Sequence, residues 1–128
     1  MRSAKCKPKN QERHDLSERL LDFAVEVARI TARLGKTRLG RHVSDQLMRS
    51  GTAAGANYEE ACSAERRAGF VHKLQIVLKE LRESLYWLRL IQRAVPAAGA
   101  NADIAPLLQE AEELASIIAK SIVTTKGR

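Results

Sequence analysis

Arg49-Ser50-Gly51-Thr52-Ala53-Ala54-Gly55-Ala56-Asn57-Tyr58-Glu59-Glu60-Ala61 is a run of small side chains closed by an amide, a phenol and two carboxylates. It sits within a segment that otherwise has helical periodicity. Glycine in a helix interior costs about 1 kcal/mol relative to alanine. Gly51 and Gly55, flanked by Ser50 and Thr52, therefore make sense where a neighbouring helix comes unusually close. The stretch predicts a helix spanning residues 37–62. Leu39, Val43, Leu47, Ser50, Gly51, Ala54, Tyr58 and Ala61 share its inner face.

Amphipathic segments flank this helix on both sides. Upstream, Leu16, Leu20, Phe23, Val27, Ile30 and Leu34 recur at spacings of three and four, which predicts a helix over residues 16–34. Asp15 and Glu18 give it a capping-box-like start and Gly35 a stop. Downstream, Phe70, Leu74, Val77, Leu78, Leu81, Leu85, Leu88 and Ile91 form the strongest stripe, predicting a helix over 70–95 that ends at Pro96 and Gly99. Residues 63–69 read as a charged link. Leu107, Ala111, Leu114, Ile118 and Ile122 mark a last helix over 104–123, capped by Asp103, with Pro106 in its first turn.

Four such helices with short links predict an all-α, up-down-up-down antiparallel four-helix bundle over residues 15–124. Residues 1–14 read as a disordered basic tail and 125–128 as a C-terminal tail. The 128 residues carry only 4% aromatics and a net charge of +7. That balance permits polyanion binding without requiring it. Cys6 and Cys62 show neither metal spacing nor a bridging framework, so reduced thiols are expected, with Cys62 a small buried residue. No apolar run approaches the roughly 18 residues of a membrane span, and no secretory signal opens the chain. A cytoplasmic protein without a membrane partner is expected.

Two stretches carry a family resemblance. One is Gln46-Leu47-Met48 followed by Arg49 to Ala61. The other runs from Phe70 to Leu90 in the third helix, with Lys79-Glu80-Leu81-Arg82-Glu83-Ser84-Leu85-Tyr86-Trp87-Leu88 as its core. Together they resemble the bacterial four helix bundle protein family, also called the 23S ribosomal RNA intervening-sequence protein family. The chain is also similar to the accessory variability protein of diversity-generating retroelements. The resemblance implies bundles that assemble as a ring, often of five subunits. For the retroelement relatives it implies binding to nucleic acid and to a reverse transcriptase, and for most members no established activity.

Three constellations are candidate sites. Arg29, Arg33, Lys36, Arg38 and Arg41 crowd the corner between the first two helices, and Lys79, Arg82, Arg89 and Arg93 share one side of the third, with Tyr86 between them. Repeated around a ring, such cations would make salt-screened phosphate contacts count. Ile76, Glu83, Trp87 and Leu90 lie opposite the main stripe of that helix, where an apolar face containing tryptophan implies a subunit interface. Arg49, Asn57, Glu60, Glu80 and Glu83 form a polar group at the seam of the second and third helices, read as charge-assisted bonds that fix register.

A di-iron bundle site requires Glu-x-x-His on two helices, and no glutamate here has a histidine three residues later. No local spacing suggests a nucleophilic triad. No enzyme chemistry, cofactor or metal is expected. The leading expectation is an oligomeric, pentameric adaptor for RNA, DNA or a nucleic-acid enzyme. The alternative is a purely structural protein–protein module, and a carboxylate metalloenzyme is a distant third.

Overall fold

The computed structural model describes Cys6 and residues 15–34, 36–94 and 101–127. Gly35, Pro96 and Gly99, read as helix stops, lie outside the described residues, as does the basic tail except Cys6. The described helices are α1 (Leu16–Ala32), α2 (Arg38–Cys62), α3 (Arg67–Ala94) and α4 (Asn101–Lys126). Asp15 caps α1, its side chain accepting from the Ser17 N–H, and Thr37 caps α2 by accepting from the Gly40 N–H.

Cross-helix contacts fix the directions. Gly55 lies against Leu20, Gly51 against Val27, and the Ser44 hydroxyl donates to the Thr31 carbonyl. Numbers rise on one helix as they fall on the other, so α1 and α2 are antiparallel. Lys73 with Glu60 and Ser84 with Ser50 show the same for α2 and α3. Arg19 with Glu110 and Arg33 with Asp103 do so for α1 and α4. Each helix packs on the next and α4 closes back on α1, which is the up-down-up-down bundle the apolar stripes predicted. Leu20, Phe23, Val27 and Ile30 of α1 meet Leu47 and Ala54 of α2, Leu74, Leu81 and Leu88 of α3, and Leu114 and Ile118 of α4 in one core.

Several expectations need correction. The charged link is shorter than expected, because α3 begins at Arg67. The last helix starts before Asp103, which therefore sits in the first turn and pairs with Arg33 instead of capping. Pro106 is then the sixth helical residue, where its missing N–H removes a backbone bond to residue 102. Helix α4 runs on through Lys126, into the segment read as a tail. Leu39 belongs to the outer surface, not to the inner face of α2.

The thiols were expected to be unpaired, and the structure joins Cys6 to Cys62, 56 residues apart, with Cα atoms 5.7 Å from each other. Both are buried. Sequence spacing cannot see such a pair, because the approach of Cys6 to the end of α2 is a tertiary event.

The small-residue stretch does bring helices together, and the neighbour is α1. A Cβ on Gly51 would lie 2.9 Å from a Val27 methyl group, whereas one on Gly55 would sit at an ordinary 3.5 Å from Leu20. The tightest site was not foreseen. A Cβ on Gly40 would stand 1.9 Å from the Leu34 carbonyl oxygen, where the chain reverses between α1 and α2. On the other flank, the Ser50 and Ser84 hydroxyls are fully buried and 2.8 Å apart, and Ser84 also donates to the Glu80 carbonyl. Each hydroxyl thus has a partner inside the α2/α3 seam, as buried polar groups require.

Candidate nucleic-acid interface

Because the helices alternate in direction, the end of α1, the start of α2, the end of α3 and the start of α4 share one end of the bundle. That geometry gathers cations which are far apart in sequence. Arg33, Lys36, Arg38 and Arg41 come from the first connection, and Arg89 and Arg93 from the last turns of α3; all are exposed. The sequence reading singled out both groups, and the fold places them at one end. Arg82 extends the group up the outer side of α3. Arg82, Tyr86, Arg89 and Arg93 recur at spacings of four, three and four, so they stand in one row, and Tyr86 is 61% exposed.

The cations differ in how far they are neutralised. Arg29 is paired with Glu26 and Arg33 with Asp103. One Arg41 Nη1 donates to the Lys36 carbonyl at 3.4 Å. Lys79 leans electrostatically on Glu83 and so belongs to the seam. Among the described residues, no carboxylate forms an ion pair with Arg82, Arg89 or Arg93. Lys36, Arg38 and Arg41 likewise pair with no carboxylate among the described residues; what sets the α3 group apart is Tyr86, which gives the arginine row an aromatic ring that a base could stack on.

The polar group at the α2/α3 seam is smaller and more exposed than expected. Arg49 Nη1 lies 3.3 Å from both Glu80 oxygens, and its Nη2 pairs with Glu83. Trp87 Nε1 donates to the same Glu83 carboxylate at 3.1 Å. The Arg49 guanidinium, helped by the Trp87 indole, holds the Glu83 carboxyl below the usual carboxylate range, and Glu83 in turn raises the Arg49 pKa. Only Glu80 is buried; Arg49 is exposed and Glu83 half-buried. Asn57 turns away and donates to its own helix at the Ala53 carbonyl, and Glu60 pairs with Lys73. Neither belongs to the Arg49 group, because each finds a closer partner. Arg19 with Glu110, at 2.6 Å, is a clasp between α1 and α4 that no local spacing could have signalled.

Trp87 was expected on an apolar back face. It sits instead at the groove between α2 and α3, half-buried, with its ring edge-on to His42 at 5.7 Å and to Tyr86 at 5.1 Å. Ile76, Glu83 and Leu90 flank it on the same side of α3 and are also half-buried. The reason is angular: these positions lie on the α2 flank of the helix, not opposite its core stripe. Among the described residues, no three of His, Cys, Asp and Glu converge as metal ligands, and no helix is long and apolar enough to cross a membrane.

Fold and surface together define a small antiparallel four-helix bundle with one basic end. The chain belongs to the 23S rRNA-intervening sequence protein family, whose model matches residues 12–120. It is similar to a protein of unknown function from the S23 ribosomal protein family of Bacteroides thetaiotaomicron, known from a crystal structure. The two share 32% identity with a TM-score of 0.75, over 84% of this chain and 97% of that one. Among curated proteins, none matches.

Proposed function

We propose that the protein is a non-enzymatic adaptor that self-associates and holds RNA on its basic end. The observation that carries this reading is the row Arg82, Tyr86, Arg89 and Arg93, without a carboxylate partner among the described residues and running to the end of the bundle that also holds the exposed cations of the α1/α2 connection. Guanidinium groups bind phosphate bidentately and keep their charge at any physiological pH. The family's name, with its reference to a 23S rRNA-intervening sequence, supports an RNA setting over a DNA one. A nucleic-acid enzyme such as a reverse transcriptase would be a partner brought to the same surface. The cytoplasm is the place this reading implies, and the Cys6–Cys62 bond is then an exception to the reduced state of most cytosolic thiols.

The test is RNA retention by the intact chain and by the triple variant Arg82→Ala, Arg89→Ala and Arg93→Ala. All three side chains are exposed, so helicity should be unchanged. The variant should lose at least about tenfold in affinity near 0.1 M salt. Equal retention by both proteins would leave the purely structural module as the better account.

Self-association in a ring, five-membered by resemblance, would use the flank formed by Ile76, Glu83, Trp87 and Leu90. A half-buried tryptophan at the rim of a groove is the type of residue that anchors protein interfaces. Trp87→Ala is expected to yield smaller particles in light scattering while keeping the helical signal. Native mass in that variant would exclude this flank as the interface.

A further inference from the structure

We infer that the outer face shared by α1 and α2 is a second self-association surface, which pairs two copies of this chain about a two-fold axis. The inference does not depend on the RNA reading or on the Trp87 flank.

Its centre is apolar and continuous. Leu21 is 56%, Val25 41% and Met48 38% exposed. Ala28 stands beside the first two on α1, and Thr52 and Ala56 beside Met48 on α2; all three are exposed. The α1/α2 register, with Gly51 opposite Val27 and Gly55 opposite Leu20, sets these residues side by side across the two helices. The Thr52 hydroxyl is occupied within its own helix by the Met48 carbonyl at 2.6 Å, which leaves its methyl to the surface. Isolated apolar side chains on a surface need no explanation, but a charge-free stripe along two helices does.

Charge decides the occupant. On α2 the stripe is bounded by Glu59 at one end and by Arg41 at the other, with the exposed Asp45 between Arg41 and Met48; on α1 it is bounded by Glu18 and Asp22 and by Arg29 and Arg33, of which Arg29 is paired with Glu26 and Arg33 with Asp103. A chain of net charge +7 repels its own copy unless the charges are arranged to match. Antiparallel pairing arranges them, because the acidic end of one copy meets the basic end of the other. Glu59 and Arg41 are separated by five turns of α2, about 27 Å, and so lie on one side of it. Residue 50, halfway between them, is level with the middle of the stripe. A two-fold axis there sets Glu59 of each copy against Arg41 of the other, twice per pair, as an isologous contact requires. Among the described residues, neither side chain has an ion-pair partner within its own chain.

The test is a charge exchange. Glu59→Arg alone and Arg41→Glu alone should each weaken self-pairing by about tenfold or more, since each puts like charges together twice. Mixed with each other, these two variants should pair again, one copy now contributing both arginines and the other both glutamates. Native mass spectrometry reads the mixed pair directly, because the variants differ in mass. Val25→Glu should abolish pairing with its helical signal intact. Single variants that self-pair like the wild type would overturn the inference, and so would a mixture in which no mixed pair forms. Recovery in the mixture requires residues 41 and 59 of different copies to meet, and a mixed species of two chains is what a closed two-fold contact gives, so a different protein on this face, or a ring contact through Trp87, would not produce it.

Discussion

Gly40→Ala is expected to be the most damaging substitution among the described glycines, costing about 3 kcal/mol or more by overpacking. The added methyl would meet the Leu34 carbonyl oxygen at 1.9 Å. That atom is backbone, in the reversal between α1 and α2, so relief requires the connection itself to move. Gly51→Ala meets only side-chain atoms of Val27, from 2.9 Å outward. Its steric cost is partly offset by the roughly 1 kcal/mol that alanine gains in a helix, leaving a net loss of about 1 kcal/mol. Gly55→Ala, at 3.5 Å from Leu20, keeps the helical gain without the clash and should be neutral or stabilising by up to about 1 kcal/mol. Urea unfolding of the three variants checks the order. A Gly40 variant as stable as the wild type would show that the α1/α2 reversal is not held as described.

Breaking the Cys6–Cys62 bond is the second large effect. The bond closes a loop with a sequence separation of 56 residues. Chain-entropy reasoning assigns such a cross-link about 4 kcal/mol, and measured losses for native bridges run from about 2 to 5 kcal/mol. Either Cys6→Ala or Cys62→Ala should therefore lower the midpoint of thermal unfolding by roughly 10–20 °C, taking about 3–5 °C per kcal/mol at this chain length. The fold should remain, because the core residues of the four helices do not depend on the bond. Reductant should produce the same shift in the wild type and none in the variants. A midpoint unmoved by reductant would mean that the bond adds nothing to stability.

The helices were legible in the sequence because their apolar residues keep the helical period without interruption. Every member of the α1 stripe from Leu20 to Leu34 is buried, as are Leu74, Leu81 and Leu88 on α3. The close approach at Gly51 was legible for a related reason: glycine in a helix interior is costly enough to need an explanation. Gly40 gave no such signal, since glycine near a helix start is unremarkable and its constraint comes from a carbonyl outside the helix. Helix ends were the least legible. Asp103 has the chemistry of a cap, yet its carboxylate serves Arg33, a partner 70 residues away. The same limit applied to the polar seam, where Asn57 and Glu60 were assigned to one group and the fold offered each a nearer partner. The arginines could each be named from sequence. Their gathering at one end could not, because it follows from the alternation of four helices. Cys6 with Cys62, and Arg19 with Glu110, are long-range pairs that leave no periodic trace.

The basic end is the core of the functional account, and its dependence on salt is the most direct test. Binding of a short structured RNA to the wild-type chain should weaken linearly in log–log form as salt rises, with a slope reflecting several neutralised phosphates. Removing Arg82, Arg89 and Arg93 together should flatten that slope by up to about 2–3 phosphate equivalents per subunit. An RNA affinity that ignores salt, or no RNA binding even at low ionic strength, would contradict the account.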